Sequence, residues 1–156
     1  MNITKLLISK GANILYKDNY SQTAFFHVVR EGKVGLIDLY VQNGADVNEQ
    51  DDFKQTPLFY AARDGKSDAV KKMCERNANT NILDKVNQNA LFYGASANKI
   101  DVCKILLEHD VDVNQYDNKK QTALFFAKKK GHTAIADLLI QNGAINTKDG
   151  KYSTAK

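Results

Sequence analysis

The feature that most constrains this chain is a period. The tetrad Gln121-Thr122-Ala123-Leu124 reappears as Gln88-Asn89-Ala90-Leu91, Gln55-Thr56-Pro57-Leu58 and Gln22-Thr23-Ala24-Phe25, each copy 33 residues from the next. A constant period without slippage points to a small supersecondary unit stacked on copies of itself, because a unit this short cannot bury its apolar faces alone. The stretch from Asp117 to Gly143 is the best preserved copy.

The period divides the chain into a partial unit at 1–17, whole units at 18–50, 51–83, 84–116 and 117–148, and the start of a further unit at 149–156. In the first whole unit Thr23 is placed to cap a helix by accepting a backbone N–H. Phe25, Phe26, Val28 and Val29 give a short helix ended by Gly32. Val34, Leu36, Ile37, Leu39, Tyr40 and Val41 give a second, ended by Gly44. The second unit carries Thr56 as cap and Pro57 at the first helical position, where a missing N–H is harmless. The third has Asn89 as cap. Asn77, Asn98 and Asp110 replace terminating glycines, and all belong to the residue types that tolerate a left-handed backbone. In the partial unit Ile3, Leu6 and Leu7 have helical spacing before Gly11, with no earlier helix to cover them. Both ends read as open, and more repeat is expected upstream of Met1.

At 156 residues the chain has the composition of a folded protein. Its apolar runs are far shorter than the roughly 18 residues of a membrane span, and residues 1–8 are too short for a signal peptide. Cys74 and Cys103 sit in apolar helical rows of different units, too far apart to bridge, so both are expected as buried thiols of a reducing compartment. The expected location is intracellular, cytoplasmic or nuclear. Charge is uneven. Residues 1–118 carry 14 Lys and Arg against 16 Asp and Glu, whereas 119–156 carry 8 Lys against 2 Asp.

Catalysis has little support. His27, His109 and His132 fall at unrelated positions of three units, and no nucleophile elbow, phosphate loop or H-E-x-x-H motif occurs. Asp18, Asp51, Asp84 and Asp117 recur at 33-residue steps as turn residues do. No catalytic residue, cofactor or metal is expected.

Thr56-Pro57-Leu58-Phe59-Tyr60-Ala61-Ala62 resembles the T-P-L-H-x-A-A signature of the ankyrin repeat. Asn43-Gly44-Ala45-Asp46-Val47-Asn48 matches that family's G-A-D-V-N lead, and Gly131-His132 its G-H. The resemblance covers essentially the whole chain and implies an all-α solenoid of stacked helix-loop-helix units with β-turn hairpin fingers. One departure is systematic: Phe26, Phe59, Phe92 and Phe125 stand where the family usually has a His that ties neighbouring repeats. A column of stacked rings is expected to replace that network, aromatic pairs adding roughly 0.5–1.5 kcal/mol beyond burial.

Transferring the family's exposed turn positions gives Lys17, Asn19 and Tyr20; Gln50, Asp52 and Phe53; Leu83, Lys85 and Val86; and Tyr116, Asn118 and Lys119. Turns do not need large apolar groups, so Tyr20, Phe53, Leu83, Val86 and Tyr116 form a candidate binding stripe. The bland reading is that several fold back on the solenoid. The resemblance implies that the first helices line a concave palm, which would offer Arg30, Arg63, Ser96 and Lys129 at matching positions, a cationic strip suited to an acidic peptide. The bland reading there is a solvated helix face.

The expected function is therefore a non-catalytic protein–protein interaction module. It would act as a monomer, as a segment of a larger protein, and bind a protein or peptide through Tyr20, Arg30, Phe53, Arg63, Leu83, Val86, Tyr116, Lys119 and Lys129. Two alternatives differ in class. One is a substrate-reading arm of a multidomain enzyme such as a histone lysine methyltransferase, with Tyr60, Tyr93 and Phe126 as an aromatic cage, a version that the absence of Trp weakens. The other is nucleic-acid binding through Lys119, Lys120 and Lys128 to Lys130, disfavoured because no aromatic platform is interleaved with the lysine run. No membrane partner is expected.

Overall fold

The computed structural model describes residues 3–145. The expected start of a further unit at 149–156 lies outside the described residues. In chain order the helices are α1 (Ile3–Ser9), α2 (Ala24–Arg30), α3 (Val34–Gln42), α4 (Pro57–Asp64), α5 (Ser67–Glu75), α6 (Ala90–Ser96), α7 (Ile100–Glu108), α8 (Ala123–Lys129) and α9 (Thr133–Gln141). The short helices α2, α4, α6 and α8 pack successively on one another, and α3, α5, α7 and α9 form a second row behind them. The core runs between the rows, with Phe25, Ile37, Leu58, Met73, Leu106 and Ile135 shut off from solvent. This is the expected all-α repeat fold.

Helix length follows from where the backbone turns left-handed. Gly32, Gly44, Gly65, Gly131 and Gly143 all have positive φ, and so do the substitutes Asn77 (φ 61), Asn98 (φ 57) and Asp110 (φ 56). A second left-handed set was not evident from residue types: Ser21, Lys54, Asn87 and Lys120 have φ of 61, 58, 63 and 60. These residues lie in the hairpin fingers, where the preceding aspartate organises the turn. Asp51 Oδ1 accepts the N–H groups of Phe53 and Gln55 at 2.9 and 3.0 Å, and Asp18, Asp84 and Asp117 do the same in their fingers. The Asp51 N–H donates to the Gln55 carbonyl at 3.0 Å, closing the hairpin. These bonds hold a non-glycine residue in the αL region that it would otherwise avoid.

Adjacent fingers are joined through the backbone. The N–H groups of Asp52, Lys85 and Asn118 donate to the carbonyls of Tyr20, Phe53 and Val86 at 3.0, 3.2 and 3.0 Å. The four fingers thus form one continuous ladder, and the side chains at its tips are held on a fixed frame.

Two expectations about the helices need correction. Of the four expected caps, Asn89 accepts from the Leu91 N–H and Thr122 from the Phe125 N–H, but the Thr23 and Thr56 side chains make no capping bond. The Thr23 hydroxyl donates instead to Glu49 Oε2 at 3.2 Å, a carboxylate brought in by its own unit's hairpin lead. The rings also pack differently from a stack of like on like. Phe26, Phe59 and Phe92 each meet the residue after the matching Phe of the next unit, edge to face: Phe26 on Tyr60 at 6.1 Å, Phe59 on Tyr93 at 5.4 Å, Phe92 on Phe126 at 5.9 Å. That staggered arrangement suits the ring quadrupole better than a face-to-face column.

The tetrad glutamines complete the link between units. Gln22 Nε2 donates to Asp51 Oδ2 and to Tyr60 Oη, both at 2.8 Å, and Tyr60 Oη donates to Asp51 Oδ2 at 2.6 Å. Gln55, Tyr93 and Asp84 repeat part of this: Gln55 Nε2 donates to Tyr93 Oη at 2.6 Å and Tyr93 Oη to Asp84 Oδ2 at 2.6 Å. In the next unit Phe126 has no hydroxyl, and Gln88 Nε2 reaches Asp117 Oδ2 directly at 3.1 Å. The histidine network absent from the sequence is thus replaced by hydrogen bonds as well as by rings.

At the amino end α1 lacks a short helix to pack on among the described residues. Ile3 and Leu7 are 70% and 54% exposed, although their counterparts one unit later, Leu36 and Tyr40, are half-buried and buried. Cys74 and Cys103 are buried free thiols, as expected.

Candidate functional site

The finger tips carry two registers of side chains. Tyr20, Phe53, Val86 and Lys119 occupy the third position of their fingers. Lys17, Gln50, Leu83 and Tyr116 precede the turn aspartates. Tyr20, Phe53, Val86 and Tyr116 are 59%, 49%, 46% and 40% exposed, while Leu83 is partly buried. Their backbone is fixed by the ladder, so binding there would order few residues anew.

The tips are more organised than a row of independent groups. The rings of Tyr20 and Phe53 lie 6.5 Å apart at 24°, so the first two fingers present one aromatic surface. Lys120 Nζ sits 4.2 Å from the centroid of the Tyr116 ring on the fourth finger. Lys17 is tied to Glu49 at 2.8 Å, a hydrogen bond that holds its ammonium above the usual lysine range. Asp52 accepts from the Ser21 hydroxyl at 2.7 Å across neighbouring fingers.

The palm departs from the expected cationic strip. Arg30 Nε and Arg63 Nε both donate to Asp64, at 3.2 and 2.9 Å. Burial works against the Asp64 charge, but the Arg63 hydrogen bond and charge, seconded by Arg30, outweigh it and hold that carboxyl below the ordinary range. Both guanidiniums also lie over the Tyr60 ring, 5.9 and 5.1 Å from its centroid. One carboxylate therefore offsets one of the two positive charges. Asp64 was missed at the sequence level because it follows Arg63 directly and looks like helix-end polarity. Its signal was Glu31, the acid one period earlier.

Further along the palm, Lys130 Nζ donates to the Ser96 carbonyl at 3.1 Å, and His132 Nδ1 donates to that of Ala95 at 2.9 Å. Both reach back to the end of α6, where the lysine's charge suits the helix dipole. Lys129 Nζ lies 5.7 Å from the Phe125 ring centroid. Part of the lysine run thus holds units together. Lys119 stays exposed at the tip.

Tyr60, Tyr93 and Phe126, the candidate cage, are spread over three units and engaged edge-on with Phe26, Phe59 and Phe92. Burial first, and then the hydrogen bond to a turn aspartate, pushes the phenols of Tyr60 and Tyr93 well above the usual range. Their rings are thus engaged within the solenoid, and the Tyr60 ring also lies against two guanidiniums. Among the described residues no group of three or more His, Cys, Asp or Glu is placed to hold a metal ion. No described helix is long and apolar enough to cross a membrane.

Comparison with known families agrees with this geometry. A family model described as ankyrin repeats (3 copies) matches residues 25–117, and a second, ankyrin repeats (many copies), matches residues 91–150. None of the curated proteins compared with the chain matches it. With the 33-residue period, the helix pairs and the hairpin ladder all in agreement, the chain belongs to the ankyrin-repeat family.

Proposed function

We propose that this chain is a non-catalytic module that binds a protein or peptide through its finger tips, with the palm as a secondary surface. Ankyrin repeats are in general protein–protein interaction modules. The observation that carries the reading here is the aromatic and aliphatic series Tyr20, Phe53, Val86 and Tyr116, left exposed on a ladder held together by backbone hydrogen bonds. Four units can supply something like the ~800 Å² per partner of a standard interface. Arg30, Arg63 and Lys129 flank the palm side, Leu83 adds a half-exposed shelf, and Lys119 closes the row. The buried thiols of Cys74 and Cys103 favour action inside the cell, in cytoplasm or nucleus.

The test is an affinity pull-down comparing the chain with a Tyr20→Ala, Phe53→Ala, Tyr116→Ala triple variant, both verified as folded by their melting curves. Loss of the recovered partners from the variant supports the tip site. Equal recovery by both refutes it.

A further inference from the structure

The tip ladder changes chemistry along its length. Its third-position register reads Tyr20, Phe53, Val86 and then Lys119, and the residue after Lys119 is another exposed lysine, Lys120, lying over Tyr116. Asp52, the acid at the tip of the second finger, is occupied by the Ser21 hydroxyl. Downstream of residue 118 the described chain carries Lys119, Lys120, Lys128, Lys129 and Lys130 against Asp137 alone. The third-position register is apolar over the first three fingers and basic at the fourth; exposed Lys54 and Lys85 stand beside it on the second and third fingers, but only the fourth carries two adjacent lysines.

The spacing of the aromatic pair constrains the shape of whatever lies on it. Side chains two residues apart on an extended chain point to the same face about 6.6–6.8 Å apart. The Tyr20 and Phe53 rings are 6.5 Å apart and within 24° of parallel. A helix would instead present neighbours three and four residues apart along one face. We propose that the occupant of the ladder is an extended segment of a partner protein that carries two apolar residues spaced i, i+2 for Tyr20 and Phe53, and a run of Asp or Glu that ends over Lys119 and Lys120.

Carboxylates meeting exposed lysines at the ladder's end stay partly hydrated, so their contribution is orientation and encounter rate more than buried charge. The apolar pair anchors the segment and the acidic run sets its direction. A phosphate backbone fits the ladder less well, because residues 18–118, which carry its apolar stretch, hold 11 Lys and Arg against 16 Asp and Glu.

This inference rests on the tip reading above, and the experiment separates the two. A phage-displayed random peptide library is selected on the immobilised chain, and synthetic versions of the enriched peptides are measured by fluorescence anisotropy. The expected peptides carry apolar residues at i and i+2 with an acidic run to one side. Their binding should weaken at least about tenfold with Tyr20→Ala/Phe53→Ala and again with Lys119→Glu/Lys120→Glu. Replacing the peptide's acids by Lys should restore binding to the Lys119→Glu/Lys120→Glu variant. Peptides that need Tyr20 and Phe53 but carry no acids, or ignore the lysine reversal, overturn this inference and leave the tip site standing. Enriched peptides indifferent to both double variants, or a selection that yields no binder, overturn both. A labelled oligo-dT that displaces the peptides and is lost with the lysine reversal assigns the ladder to single-stranded nucleic acid and overturns the proposal.

Discussion

The phenol of Tyr60 donates a 2.6 Å hydrogen bond to the carboxylate of Asp51, and Gln22 of the preceding unit donates to both. One hydroxyl thereby joins a short helix to its own finger and to its neighbour. Tyr60 is buried, so replacing it by Phe leaves a buried carboxylate oxygen with a single donor. Tyr60→Phe is expected to destabilise by about 1.5–3 kcal/mol, the range for hydrogen bonds to charged groups. Phe126 occupies the matching position beside Asp117, so Phe126→Tyr should add such a bond and raise stability. Urea unfolding of both variants reads the two signs directly. A neutral Tyr60→Phe would mean that the network contributes nothing.

Ring packing predicts a graded series along the solenoid. Phe92 is 2% exposed and enclosed by units on both sides, whereas Phe125 in the fourth unit is only half-buried. Phe92→Ala should cost about 3–5 kcal/mol as a large-to-small core change. Phe125→Ala should cost clearly less, because solvent already reaches its ring. Equal losses in thermal or urea melts would contradict the packing described.

Gly65 and Gly131 share a φ of 72, but a Cβ at Gly65 would come within 2.7 Å of Lys99 Cδ, and at Gly131 it would meet nothing within 4 Å. The obstructing atom belongs to a flexible lysine that can swing away. Gly65→Ala and Gly131→Ala are therefore expected to cost similar amounts, about 1–2 kcal/mol each, set by the left-handed backbone. A much larger loss for Gly65→Ala, relieved by Lys99→Ala, would show that the lysine is pinned.

Stability should depend on pH through Asp64. Its carboxyl titrates below its ordinary value of 3.8 in the folded chain, because Arg63 and Arg30 outweigh the effect of burial. A lowered folded value gives stabilisation that is complete above 3.8 and lost as pH falls through the folded value. Asp64→Asn should lower the melting midpoint at pH 6, and the difference from the parent should shrink towards pH 3. The pair is partly exposed, so the effect stays below about 1 kcal/mol. Asp38, held down first by its hydrogen bond to Arg76 and then by that to Lys72, titrates with the same sign.

Burial raises the thiols of Cys74 and Cys103 to about 11 and about 12. A disulfide reagent at pH 8 should therefore label neither quickly in the folded chain and both on unfolding. Cys74, at 8% exposure, should react before Cys103, which is fully enclosed. Prompt labelling of Cys103 would show that the α6–α7 pair opens locally.

Much of this molecule is written locally. The 33-residue period is read from copy to copy, and the helix pairs and the left-handed positions Gly44, Asn77, Asn98 and Asp110 follow from residues within a single unit. Steric rules and apolar spacing act over a few residues, and the period repeats them without change. Contacts between residues far apart along the chain follow a different rule. Thr23 and Thr122 stand at equivalent positions, yet Thr122 caps α8 while the Thr23 hydroxyl goes to Glu49, 26 residues on in the same unit. Arg30 looked like a free cation until stacking set it against Asp64, 34 residues away, and Tyr60 looked like a cage wall until its hydroxyl met Gln22, 38 residues back. The sequence determined what each unit is. Only the rise and rotation between stacked units decided which side chains meet, because those partners are brought together by packing and not by proximity along the chain.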